Sequence, residues 1–195
     1  MEMNNEQKDL LKSILANKEF LAEILKEATE EKKEIPKLNI GDTVEIAGIT
    51  WRKFKEDEDG NSYMLADSII KKSEFGETND WKCSKIRQEI SELAGNIKKE
   101  IGDRLVRIQV DLLSHDGLDD YGTCEDLVSI LTYDLYRHNR KNIKFLDNDW
   151  WLATPDSTPN GYGSCYVQCV RDRGRVGYCG CSYDEAVRPF FILKS

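Results

Sequence analysis

Asp149-Trp150-Trp151-Leu152-Ala153-Thr154-Pro155 and Ala186-Val187-Arg188-Pro189-Phe190-Phe191-Ile192-Leu193 are the stretches on which the reading of this chain turns. Phe190 to Leu193 reads as a buried closing strand. Trp150 and Trp151 are adjacent in an extended segment, so their side chains point to opposite faces. At least one of them is expected to pack against the closing strand. Between the two blocks lies Tyr166-Val167-Gln168-Cys169-Val170-Arg171-Asp172-Arg173-Gly174-Arg175-Val176, a strand, a glycine turn and a return.

Upstream, Thr43 to Phe54 alternates apolar and polar side chains as strands do. Asp59-Gly60 in the acidic run Glu56 to Asn61 signals a hairpin tip, and Tyr63-Met64-Leu65-Ala66 starts the return strand. The spacing of the acidic run does not fit a calcium loop. From Trp81 to Ile101 the stripe Ile86, Ile90, Leu93, Ala94, Ile97, Ile101 predicts a helix, with Ser84 as its cap. Leu105 to Leu113 reads as a strand, and Asp126 to Tyr136 as a second short helix with Leu127, Ile130, Leu131 and Leu135 inward. The expected class is therefore α+β. Before all this, Glu6 to Lys33 predicts one long amphipathic helix, stopped by Pro36. Its stripe either packs on its own domain or forms a short coiled coil that makes a homo-oligomer. The expected organisation is residues 1–37 as helix and linker, and 38–195 as the main domain.

The chain has 195 residues with 39% apolar and 33% charged side chains, enough for a globular core. A net charge of -8 argues against nucleic-acid backbones and anionic lipid surfaces as partners. No basic start followed by an apolar run is present, so no signal peptide is expected. No apolar stretch is long enough to span a bilayer.

Candidate catalytic chemistry is sparse. Ser114-His115-Asp116 contains the residue types of a hydrolase triad, but adjacent residues cannot fold onto each other in the required geometry. His138 sits in a basic helix end. Four of the six cysteines crowd the end of the chain at Cys165, Cys169, Cys179 and Cys181. Cys179 and Cys181 are one residue apart, closer than a zinc knuckle allows. No glycine-rich phosphate loop is present. No enzymatic activity, no cofactor and no metal are expected.

The order of the Trp-Trp-Leu block, the Leu-x-x-Pro turn, the Tyr-Val hairpin and the Val-Arg-Pro strand resembles a large family of bacterial and phage domains. Gly41 to Val44, Ile49 to Trp51, Leu65 to Ile70 and Trp81 to Arg87 match its earlier elements, so the resemblance runs from about Leu38 to the end. That family is similar to C-type lectins and formylglycine-generating enzymes. The resemblance implies a C-type-lectin-like fold. Arg173-Gly174 replaces the usual Asp-Gly turn, and Ala186 stands where glycine is usual. The calcium and sugar signatures of classical lectins are absent, and the cysteine pair of the formylglycine-generating enzymes cannot be placed on this chain.

Composition adds a second argument. Asn160 to Asp184 contains no Lys or Glu, although the rest of the chain is rich in both. Adenine mutagenesis of Asn codons by a diversity-generating retroelement yields Tyr, Cys, Gly, Ser, Asp, Arg, Val and others including the unmutated Asn, but not Lys, Glu, Gln, Met or Trp, and only Gln168 falls outside what it can give. The stretch, about residues 160–185, thus resembles the variable region of a retroelement target protein. Tyr162, Ser164, Tyr166, Cys169, Arg171, Tyr178, Cys179, Cys181, Tyr183 and Asp184 are the expected exposed binding face. Trp150, Trp151, Val167, Val170, Val176, Pro189 and Phe190 are the expected framework. The resemblance implies a variable protein or glycan ligand, and a place in a phage virion or the bacterial cytoplasm. A structural phage component and a formylglycine-generating-like enzyme are the alternatives.

Overall fold

Strand β13 (Pro189–Leu193) buries all five of its residues and lies in the interior of a six-stranded sheet. The computed structural model describes residues 34–195 together with Lys12, Leu15, Asn17, Lys18 and Leu21. Two compact units divide the chain, Met1–Lys33 and Glu34–Ser195. The five described residues of the first are helical; the remainder of the helix expected from Glu6 to Lys33 lies outside the described residues.

The second unit is α+β. Strands β1 (Thr43–Ile46) and β2 (Ile49–Glu56) form a hairpin closed by Ala47-Gly48, both at positive φ. That is the backbone a two-residue turn between twisted strands demands. Ala47 is held in its strained conformation by its N–H, which donates to Glu100 at 2.7 Å. A bulge in the pairing of β2 with β3 (Ser62–Ala66) lets neighbouring Lys53 and Phe54 both turn inward. Lys53 then satisfies its ammonium on the Leu38 carbonyl, 2.9 Å away, and on Glu56. The hairpin tip is the acidic run, where the Asp57 carboxylate accepts from the N–H groups of Asp59 and Asn61.

β3 pairs with β13, which also pairs with β5 (Leu105–Val106) and β8 (Ser129–Ile130). The second sheet runs β11 (Val176–Gly180), β10 (Tyr166–Val170), β9 (Trp150–Pro155), β12 (Glu185–Val187), β4 (Lys71–Ser73). β6 (Ile108–Asp111) and β7 (Thr123–Asp126) form a separate ribbon. Helix α1 (Lys85–Ile101) starts on Ser84, whose hydroxyl accepts from the Arg87 N–H at 3.1 Å. It buries Ile86, Ile90, Ile97 and Ile101, as the stripe requires.

Two sequence expectations need correction. The helix expected from Asp126 to Tyr136 is instead the end of β7, the short strand β8, and helix α2 (Tyr133–Asn139) capped by Thr132. Ser129 and Ile130 face Phe190 and Pro189 across the sheet, so apolar residues at helical spacing serve a strand whose partner is remote in sequence. Leu105 to Leu113 is not one strand: β5 joins β13 whereas β6 joins β7.

Both tryptophans of the deciding block are buried, and they face opposite ways. Trp150 meets the Tyr136 ring at 5.5 Å. Trp151 meets Phe75 at 5.5 Å and donates its indole N–H to the Ser73 carbonyl at 2.8 Å. The block Val187-Arg188-Pro189 carries the chain from the second sheet to the first. Among the described residues, no helix is long and apolar enough to cross a membrane.

Candidate functional site

The expected binding stretch forms a loop, a hairpin and a second loop along one edge of the second sheet. The hairpin pairs Tyr166 with Gly180, Val167 with Cys179, Gln168 with Tyr178 and Cys169 with Gly177. Strand periodicity therefore puts Tyr166, Gln168 and Tyr178 on one face and Val167, Cys169, Gly177 and Cys179 on the other. The connection turns through Arg173 (φ 55) and Gly174 (φ 71). A Cβ at Gly174 would stand 2.3 Å from the Phe145 ring, so this position admits glycine alone. The Gly174 carbonyl also accepts from the Tyr136 hydroxyl at 2.8 Å, tying the turn to α2.

The ten expected binding residues separate into two groups. Tyr162, Tyr166, Tyr178, Tyr183 and Asp184 are exposed, and Ser164 and Arg171 are partly exposed. Tyr162 is open over 96% of its surface. The rings of Tyr166 and Tyr178 meet edge to face at 5.4 Å. The cysteines are the correction. Cys169 and Cys179 are fully buried and joined by a disulfide, and Cys181 is also buried. Their reason is the register: Cys169 and Cys179 sit diagonally on the inward face of the hairpin, where side chains pack rather than bind. Cys181 gives its thiol to the Ser164 carbonyl at 3.7 Å. Burial, with the neighbouring Cys165 adding to it, pushes that thiol up to about 12.

The framework expectations also sort out. Val167, Val170, Pro189 and Phe190 are buried with the two tryptophans, while Val176 is partly buried. Gln168 is buried and donates to Asp156 at 2.7 Å.

Arg171 lies across the inner face of the hairpin. Its guanidinium donates to Asp149 at 3.0 Å and to the Tyr178 carbonyl at 2.6 Å. It crosses directly over Gly177, where a Cβ would come within 2.7 Å of Nε. Beside it Glu185 has its carboxyl pushed up, first by burial and then by the charge of Asp149; Lys72 and Arg171 pull it the other way.

The loop before the hairpin is held by residues that the sequence reading passed over. Asn79 is fully buried and uses both ends of its amide. Its NH2 donates to the carbonyls of Ser157 (2.8 Å) and Tyr166 (2.9 Å), and its oxygen accepts from the Tyr121 hydroxyl at 2.7 Å. Burial, then Asp80, pushes the Tyr121 phenol up to about 12, so it stays a donor. Asp120 receives Thr158 and Asn160. No local pattern marks Asn79, because its partners lie 78 and 87 residues away.

Between this stretch and the start of α1 lies an open groove of about 770 Å³. Tyr166, Cys181 and Tyr183 form one bank; Glu74, Cys83 and Lys85 form the other. The Ser114-His115-Asp116 triplet is elsewhere, beside Tyr133. There the Ser114 hydroxyl bonds Asp116 at 2.5 Å, while His115 packs edge-on to Tyr133. His138 lies in the last turn of α2.

Compared with known proteins, the chain matches no family model, no curated protein and no solved structure.

Proposed function

We propose that this chain is a ligand-binding module with a C-type-lectin-like fold, whose surface from Asn160 to Asp184 is diversified by a retroelement. It acts by binding rather than by catalysis, on a protein or glycan ligand, in a phage virion or in the bacterial cytoplasm. One observation carries the reading. The four exposed tyrosines among the described residues, Tyr162, Tyr166, Tyr178 and Tyr183, all fall in this one stretch. Their backbone is held by buried Val167, Gln168 and Val170 and by the Asn79 peg. A rigid frame with an adaptable, tyrosine-rich surface is how paratopes combine large contact area with small entropic cost. The binding face is accordingly Tyr162, Ser164, Tyr166, Tyr178, Tyr183 and Asp184; Arg171 leaves it, because its guanidinium lies over the inner face of the hairpin, bonded to Asp149 and the Tyr178 carbonyl. Cys169, Cys179 and Cys181 leave it, since buried side chains make no contact with a ligand.

The test is the neighbouring DNA. A near-identical repeat carrying Asn codons opposite Tyr178 and Tyr183, beside a reverse transcriptase gene, is the expected result. An isolated gene with neither feature removes the retroelement from the reading. Binding by the surface itself is tested separately, by screening the full chain on a glycan array and a protein array. Exchange of the four tyrosines for Ala should abolish whatever signal the full chain gives; an unchanged signal places the binding face elsewhere.

A further inference from the structure

The hairpin pairing continues one residue past the ends of β10 and β11. Tyr166 faces Gly180, so the next residue outward on each side sets Cys165 opposite Cys181. The backbone carries the pairing on, since the Cys181 N–H donates to the Cys165 carbonyl at 2.9 Å. Residues opposite each other at a hydrogen-bonded site of an antiparallel pair have Cα atoms about 5.5 Å apart, and their side chains leave the same face. Disulfides bridge Cα separations of about 4.4–6.8 Å. Both cysteines carry free thiols, and both line the groove beside Tyr166 and Tyr183. They differ in one respect that matters chemically: Cys165 is exposed and Cys181 is buried.

We propose that Cys165 and Cys181 form a dithiol modification site, which a low-molecular-weight disulfide such as oxidised glutathione converts into a second cross-strand disulfide. The exposed sulfur acts first. The Cys165 thiolate attacks one sulfur of the small disulfide, the bond between its sulfurs breaks, and one half leaves as a thiolate. A mixed disulfide then stands on Cys165. The Cys181 sulfur gives its proton to solvent and attacks the Cys165 sulfur, and the second small thiolate departs. The two protein thiols lose two electrons and two protons, and the small disulfide gains them as two thiols.

The fold assigns these roles. Burial pushes the Cys181 thiol up to about 12 and shields it from the reagent, which keeps it out of the first step. In the second step the two sulfurs stand on facing residues, so the attack is intramolecular and gains from proximity. Of the other two free thiols, Cys124 is pushed up to about 11, first by burial and then by Asp126, and stays protonated. Cys83 is exposed on the far bank of the groove. The new bond would tie the loop that carries Tyr162 and Ser164 to the turn that carries Tyr183.

The experiment treats the full chain, its Cys169–Cys179 disulfide intact, with oxidised glutathione and reads the mass of the whole protein. Cys83→Ser removes the other exposed thiol, so the mass reports on the pair. That chain is expected to lose two hydrogens and to retain no glutathione. Adding Cys181→Ser should stop the reaction at the mixed disulfide, with one glutathione gained. Adding Cys165→Ser instead should leave the mass unchanged. Tandem mass spectrometry of the digested protein should place the new link between Cys165 and Cys181. The proposal is overturned if the Cys83→Ser chain does not react or retains a glutathione. It is equally overturned if the Cys165→Ser chain takes up glutathione, or if the new link joins Cys165 or Cys181 to Cys169 or Cys179.

Discussion

The guanidinium of Arg188 lies 5.3 Å from the centre of the Trp150 ring, at the single residue between β12 of one sheet and β13 of the other. It is fully buried, donating to the carbonyl of Ala66 at 2.8 Å and of Lys144 at 2.9 Å. Burial holds its pKa down to about 10. The crossover point therefore contains a charge that fills space, caps the carbonyls of Ala66 and Lys144, and rests on an aromatic face. Arg188→Ala leaves both carbonyls bare around a cavity and should cost about 3–5 kcal/mol in urea unfolding. Arg188→Lys keeps the charge but loses the planar fork, so it too should destabilise, by roughly 1–3 kcal/mol. Wild-type stability in the Lys variant would mean that charge alone matters there.

Exposed and buried residues of the hairpin and its flanking loops should differ in what they contribute to stability. Tyr162→Ala and Tyr183→Ala, at exposed positions, should each shift stability by no more than about 0.5 kcal/mol. Under oxidising conditions Cys179→Ser opens the Cys169 disulfide and should cost about 2–4 kcal/mol. Denaturant melts of the three variants give the contrast, and equal effects would contradict the burial pattern.

Asn79 is the peg beneath the binding loop. Asn79→Ala orphans the Ser157 carbonyl and removes the acceptor of the Tyr121 hydroxyl, while the Tyr166 carbonyl keeps the Asp156 N–H; it should cost about 2–4 kcal/mol. Hydrogen exchange should rise first in residues 157–166, before the sheet loosens. Uniform exchange across the unit would show that the loop has no local dependence on the peg.

Glu185 supplies a pH signature. Its carboxyl is pushed above the ordinary 4.5, so the folded chain holds this proton more tightly than the unfolded chain. Its contribution to stability is complete below pH 4.5 and is lost as pH rises through the folded value. Glu185→Gln should therefore match the parent at low pH and exceed it in Tm at neutral pH. A gap that shrinks as pH rises would reverse the sign of the argument.

In the first unit, the described helical residues Leu15 and Leu21 leave 52% and 55% of their surface open. The full chain is expected to self-associate as a dimer or trimer through this helix, and a chain beginning at Leu38 to be monomeric. Multi-angle light scattering separates the two. A monomeric full chain would assign the apolar stripe to its own unit.

Much of the scaffold was legible because it is local. The stripe from Ile86 to Ile101 and its Ser84 cap depend on neighbours a few residues away. So do the hairpin tip at Asp59-Gly60 and the opposite faces of Trp150 and Trp151. The helix expected at Asp126 failed where locality failed, since Ile130 takes its conformation from Pro189. The cysteine pairing was within reach: with Arg173-Gly174 as the turn, Cys169 and Cys179 straddle it and fall on the same face. Composition could not tell that this face was the inner one.

The sequence by itself determined the α+β class, the tyrosine-rich stretch and the strands that frame it, because periodicity and turn chemistry act over a few residues. Tertiary structure alone decided which cysteines are buried. It also decided that Asn79 holds the loop, that Arg188 bridges the sheets, and that Asp149 and Glu185 meet Cys179. Each of those depends on which strands lie side by side. That choice is made by burial of the whole core, and its free energy belongs to contacts between segments far apart in the chain.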